Sequence, residues 1–227
     1  GGSDDITTGH GNDIAIGGTA SDYINVNRNN NNNLSDNGND LLAGDNATAR
    51  FITTDGTDTL DTIAFGHGDA DRIHTDAGAD IVLGGDGNDY IKTGADGLRD
   101  VVLGDNGTTV FKTNDNGRIA TDRLLSITST DTSDNTTEID DIITGPGDDI
   151  IFGGNASDTI TAGQGNNVVA GDNAAATIDV DTSQVVTTYI LRTIDTLSPA
   201  HGGTDAITTG NGADVVIGGT AGDTIDA

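Results

Sequence analysis

Carboxylates recur along this chain at a nine-residue spacing. In TGPGDDIIFGGNASDTIT (144–161), Asp149 and Asp158 each stand at the sixth place of a line that opens on small residues and closes on a strand-forming triplet. The same place holds Asp4, Asp13, Asp22 and Asp40, then Asp71, Asp80, Asp89 and Asp100, then Asp140, and finally Asp205, Asp214 and Asp223. A carboxylate beside the open carbonyls of a glycine turn is a set of hard oxygen ligands, suited to Ca²⁺. One turn aspartate is commonly a solvated acceptor. Fourteen in one register form a metal-ligand pattern.

Three departures mark the row. Asn167 takes the sixth place in AGQGNNVVA (162–170). A neutral amide oxygen can still ligate, so a weaker site is expected there. TGADGLRDVVL (93–103) carries two extra residues, which makes Asp100 the least regular member. Lines beginning GDN have Ala49, Thr109 and Ala176 at the sixth place and cannot repeat the carboxylate. Their second-place residues, Asp45, Asp105 and Asp172, are expected to close the last turn as ligands or as turn-capping acceptors, capping being favoured. The ladder is expected to end there in each copy.

A ligand row needs a scaffold of the same period. Glycine at the first, second and fourth places supplies tight turns, and the last three places make a short strand with alternating faces. Such a strand cannot stand alone, so stacking and metal must stabilise it. A longer period encloses the short one: Gly-Gly of the line GGxxxDxIx recurs at 17, 84, 153 and 218, and GDN at 44, 104 and 171. On this basis the chain divides into modules 1–65, 66–134 and 135–199 and the start of a fourth, 200–227, each full module being about 67 residues long.

GGDGNDYIK (84–92) fits every specified place of GGxGxDxUx, where U is a large apolar residue, and about a dozen lines share its register. The chain therefore resembles the haemolysin-type calcium-binding repeat, the RTX nonapeptide. The resemblance implies a parallel β-roll in which two nonapeptides make one turn and Ca²⁺ sits in the turns. It also implies export in an unfolded state and folding on meeting calcium outside the cell.

Composition asks for such a cation. Apolar residues make up 33% and aromatics 3%, and 37 Asp and Glu against 9 Lys and Arg give a formal charge of −28. Burial alone would not order such a chain. The charge also makes nucleic acid a poor partner. No apolar run nears the ~20 residues of a bilayer span, and the absence of Cys removes disulfides and thiolate metal sites. His10, His67, His74 and His201 lie in or beside turns, without the convergent ligands that zinc needs. No motif sets a nucleophile beside a base, so no catalytic residue is assigned and the chain is not expected to be an enzyme. It has no Met, and its last line, GGTAGDTIDA, stops mid-pattern; an excerpt or processed piece of a longer protein is expected.

In a two-sheet roll alternate lines fall in opposite sheets, with the eighth-place side chain inside and the seventh and ninth outside. The outward pairs of odd lines are mainly polar: Tyr23/Asn25, Arg72/His74, Tyr90/Lys92 and Thr159/Thr161. Those of even lines are mainly apolar: Ile14/Ile16, Leu41/Ala43, Ile81/Leu83, Val101/Leu103, Ile150/Phe152 and Val215/Ile217. One sheet meets water, and the other must be covered. The segments after GDN are the expected cover: 108–130 with a hairpin turn at Asn116-Gly117, 177–196, and a shorter run through ARFITT and TLDTIAF. The Asn-rich VNRNNNNNL (26–34), counted as a line, would throw LLA (41–43) onto the wet sheet, so it is expected to be a surface loop.

The expected fold class is thus all-β: a calcium-stabilised parallel β-roll or β-solenoid in repeated modules, with connecting strands over one sheet. The expected function is that of a calcium-binding structural repeat in a large secreted bacterial protein, extracellular or at the cell surface, such as an adhesin, surface-layer, matrix or filament component. Its partners would be calcium ions and neighbouring modules or identical subunits. The alternative is a secretion and folding module beside an enzyme or toxin domain outside the excerpt. The long period favours the first, because a simple secretion cassette needs no connector strands. An ice- or carbohydrate-binding threonine row is disfavoured, since Thr7, Thr161 and Thr208 do not recur on successive turns.

Overall fold

The computed structural model describes residues 1–26, 38–51, 57–63, 66–112, 123–131, 137–181, 188–198 and 200–227. Among these residues, strands β1 to β21 in chain order form three sheets. The first sheet runs β1 (Asp5–Thr7), β3 (Tyr23–Asn25), β7 (Arg72–His74), β9 (Tyr90–Lys92), β13 (Asp141–Ile143), β15 (Thr159–Thr161), β19 (Ala206–Thr208) and β21 (Thr224–Asp226). The second runs β2 (Ile14–Ile16), β4 (Leu41–Ala43), β8 (Ile81–Leu83), β10 (Val101–Leu103), β14 (Ile150–Gly154), β16 (Val168–Asp172) and β20 (Val215–Ile217). Both are parallel throughout. No described helix is long and apolar enough to cross a membrane.

Register follows from the nine-residue period: each place stacks on the same place one turn away. Ile6 pairs with Ile24, Ile24 with Ile73 and Ile73 with Ile91. The pairing passes unbroken from one long repeat to the next, as in Tyr90 with Asp141 and Thr159 with Ala206. Eighth-place side chains point between the two sheets. Ile24, Ile73, Ile91, Ile142, Ile160 and Ile207 of the first meet Leu42, Val82, Val102, Ile151 and Val169 of the second, all at most 1% exposed. A three-residue strand gives one such side chain per line, which makes a thin core.

The connectors supply the rest. The third sheet is antiparallel, in the order β18 (Thr188–Thr196), β17 (Ala174–Asp181), β12 (Leu124–Ser129), β11 (Gly107–Lys112), β6 (Thr57–Thr62) and β5 (Ala47–Phe51). Connectors from successive long repeats therefore zip into one sheet. Their Leu60, Phe111, Leu124, Ile127 and Ile178 pack on Leu41, Ile81, Leu83, Val101, Leu103, Ile150 and Phe152 of the second sheet. Each such side chain contributes about 1.5–3 kcal/mol when fully buried, so this cluster rivals the interior of the roll. The all-β roll with strands covering one sheet is the architecture expected from the triplets: Arg72, Lys92, Thr159 and Thr161 lie exposed on the open face, while β4, β8 and β10 are buried at every residue. The cover fails at the outer strands of the second sheet, where Ile14 and Val215 are 41% and 40% exposed.

The Asn116-Gly117 turn lies outside the described residues, as does all but Val26 of the Asn-rich stretch 26–34. The flanking structure agrees with the argument made for each. β11 and β12 pair antiparallel, and LLA falls in the covered sheet. The boundaries at 65/66, 134/135 and 199/200 also touch undescribed residues.

Phe152→Ala opens a void between the second and third sheets and should cost about 3–5 kcal/mol. Thr159→Ala on the open face should change stability by no more than about 0.5 kcal/mol. Urea unfolding of both variants in calcium measures the contrast.

Candidate metal centres

The sixth-place aspartates form two rows, one leading into each parallel sheet. In the first row, Oδ1 of each aspartate accepts the backbone N–H of the aspartate one turn earlier, at 2.6 to 3.1 Å. Asp22 accepts from Asp4, Asp71 from Asp22, Asp89 from Asp71, Asp140 from Asp89, Asp158 from Asp140, Asp205 from Asp158, and Asp223 from Asp205. In the second row Asp40 accepts from Asp13, Asp80 from Asp40, Asp100 from Asp80 and Asp149 from Asp100, at 2.8 to 3.0 Å. Asn167 then accepts from Asp149 at 3.1 Å and Asp214 from Asn167 at 2.8 Å. All fourteen predicted residues thus stand in a row, Asp100 included. The two extra residues of its line bulge out before it without shifting its rung.

The second oxygen tells more. Oδ2 of Asp22, Asp71, Asp89, Asp140, Asp158 and Asp205 is buried with no hydrogen-bond partner, on residues at most 4% exposed. A bare carboxylate oxygen in that position is costly unless a cation meets it. The first-place glycines show what else faces it. A Cβ on Gly84 would fall within 3.0 Å of both Asp89 Oδ2 and the Gly104 carbonyl oxygen, and one on Gly44 would meet Asp71 Oδ2 and the Gly84 carbonyl. Glycine leaves open a niche lined by carboxylate and carbonyl oxygens, and those are the ligands Ca²⁺ takes, at ~2.3–2.6 Å. The residues present fit the ion.

Burial, foremost, pushes these carboxyls up. Asp71 is raised to about 8, with the nearby charges of Asp45 and Asp22 adding to the effect of burial. Asp205 is raised to about 7 and Asp149 to about 6, again chiefly by burial. Asp89, Asp140 and Asp158 lie well above the ordinary carboxylate range, from burial and then from neighbouring acids. A divalent ion reverses that logic by favouring the charged form.

The GDN lines correct one expectation. The ladder does not end at them. Gly44 N–H donates to Leu83 O at 2.9 Å and Asp45 N–H to Gly84 O at 3.2 Å, so the chain is still in the roll when it turns out into the third sheet. It returns to finish the turn with the next copy's Asp71, whose Oδ2 faces Gly44. The capping role holds. Asp45 Oδ2 accepts from Asp86 N–H at 2.6 Å and Asp105 Oδ2 from Asn155 N–H at 2.5 Å. Asp172 accepts from Gly203 N–H at 3.0 Å and from the Thr220 hydroxyl at 2.9 Å. Oδ1 of Asp45 and of Asp105 stays buried and unpartnered, so a ligand role remains open to both.

Two groups were not singled out from the sequence. Threonines at the first place of the second row's lines set hydroxyls against the carboxylates. Thr209 Oγ1 donates to Asp214 Oδ2 at 3.0 Å, while the Thr93 and Thr144 hydroxyls lie buried near Asp100 and Asp149 without a hydrogen bond of their own. Their recurrence every second line was the available signal. Asp86, Asp131 and Glu138 are buried, and their carboxylate oxygens lie within 4.8 Å of one another where a connector rejoins the roll. Asp131 comes from a segment without a period, and Glu138 stands at the fourth place of the line that holds Asp140, where most lines have glycine, so that substitution was the available signal.

A parallel coil with carboxylate rows over carbonyl-lined turns defines a β-roll with niches suited to a cation. The chain carries the RTX calcium-binding nonapeptide repeat, matched in four copies over residues 65–97, 134–173 and 200–227. Comparison with curated proteins and with solved structures gave no significant match. Residues 1–64 lie outside the matched segments, yet the same ladder runs through Asp4, Asp13, Asp22 and Asp40.

A carboxyl with a raised folded-state pKa binds its proton more tightly folded than unfolded. Between the ordinary value of 3.8 and about 8, the metal-free fold therefore loses stability as pH rises. In a chelator, far-UV circular dichroism should show strand content kept near pH 5 and lost towards pH 8. In calcium the trend should invert, since protons then compete with the metal.

Proposed function

We propose that this chain is a calcium-folded structural repeat of a large extracellular bacterial protein, working as part of an adhesin, surface layer, matrix or filament. The observation that carries the reading is the row of buried, unpartnered Oδ2 atoms, each opposite a glycine carbonyl. Before calcium is met, the rows repel and the chain stays open, a form suited to export. In calcium-rich surroundings each ion joins neighbouring turns, and the roll closes. The sixth-place aspartates are the ligands, and the turn carbonyls complete the shell.

The third sheet supports a structural role over a secretion cassette serving a neighbouring enzyme or toxin. Its connectors bind one long repeat to the next through β6 on β11 and β12 on β17. A cassette whose task ends at folding has no use for that joint. Neighbouring repeats or identical subunits are the partners that such a scaffold serves.

Near pH 8 calcium should raise strand content severalfold by far-UV circular dichroism; equal content with and without it at that pH would refute metal-dependent folding. Asp140→Asn removes a ligand from the middle of the first row and should weaken calcium binding at that turn at least about 10-fold by calorimetry. Electron microscopy of the native protein in calcium should show elongated or laterally joined particles, and dispersed monomers at high concentration would count against the scaffold role.

A further inference from the structure

The second row contains one rung of different chemistry. Asn167 sits where every other described rung of that row has aspartate, and it is 0% exposed. Its Oδ1 accepts the N–H of Asp149, and its own N–H donates to Asp214 Oδ1, so the ladder passes through it intact. The N–H of Asp149 demands an oxygen opposite it, and this orients the amide: the amino group must take the position that Oδ2 takes in an aspartate. Nδ2 there donates to Gly163 O at 3.0 Å and reaches Gly165 O at 3.5 Å. These are the second- and fourth-place carbonyls of the turn. The amide oxygen faces the ladder and a donor faces the niche, which argues against the weak amide-ligated site expected from the sequence.

A second, independent change falls in the same line. The other lines of this row open on a hydroxyl residue: Thr8, Ser35, Thr75, Thr93, Thr144 and Thr209. The line with Asn167 opens on Ala162, buried at 3% exposure. Carboxylate and hydroxyl are lost together, and what replaces them needs no ion.

We infer that the turn 162–167 is a calcium-independent rung, in which the Asn167 amide takes the place of the metal. The inference rests on the calcium reading of the other rungs. An N–H bonded to a turn carbonyl does locally what the cation does elsewhere: it satisfies inward-facing oxygens, and it brings no charge to the stack. Calcium along the second row is thereby interrupted between Asp149 and Asp214. Asn167 is the residue that sets where the ion does not bind.

The test compares the wild-type chain with Asn167→Asp, and with Ala162→Thr/Asn167→Asp. It uses calcium titration calorimetry together with anomalous diffraction from crystals grown in calcium. The wild type should show calcium in aspartate turns and none between Gly163 O, Gly165 O and residue 167. Asn167→Asp should bind one more ion per chain, located there, and Ala162→Thr added to it should tighten that ion. In chelator, Asn167→Asp should lose strand content at a lower pH than the wild type. Calcium in the wild-type turn would overturn the inference even if the variants failed to fold. Unchanged stoichiometry in a folded Asn167→Asp would overturn it too. A wild type that binds no calcium anywhere would instead sink the function proposed above, and the two failures are distinguishable.

Discussion

Stacking identical turns puts like charge on like charge, and the whole structure answers to that constraint. A nine-residue period with parallel register forces each aspartate directly beneath the next. One oxygen of each is used well, as acceptor for the neighbouring backbone N–H. On Asp22, Asp71, Asp89, Asp140, Asp158 and Asp205 the other is buried without a hydrogen-bond partner, beside a glycine carbonyl oxygen. The ladder hydrogen bonds offset desolvation and mutual repulsion only in part, and the carboxyls stay raised. On the calcium reading proposed above, a hard divalent cation would relieve both and tie one layer to the next.

The hydrophobic part of the fold is arranged around this. With one inward side chain per line, the roll interior is a single file of Ile, Val and Leu on each side. The second sheet adds an outward apolar face, and the third sheet is needed to close it. The parallel ladders join one turn to the next, and the apolar clusters join one sheet to another. On the calcium reading proposed above, ions in the turns would reinforce the first direction, at right angles to the second.

Much of this was legible in the triplets. The contrast between TIT and IIF assigns their lines to the open and covered sheets because side chains alternate along a strand, and three residues suffice to show it. The two rows of acids were legible for the same reason. Continuity through the GDN lines was not. Gly44 and Asp71 complete one turn across an excursion of the chain, and a period read along the sequence sees only the departure. The amide at Asn167 was illegible in another way, since oxygen and nitrogen exchange ligand for donor with no change of shape. Only the neighbour that claims the oxygen reveals which atom looks inward.

The like-on-like register has a mechanical consequence. Strands of the roll lie across its long axis, so tension between the two ends pulls along the inter-strand hydrogen bonds instead of shearing them. Rungs then peel one after another, and each releases only its own short length of chain. Extension under strain then proceeds in small steps, each the length of one turn.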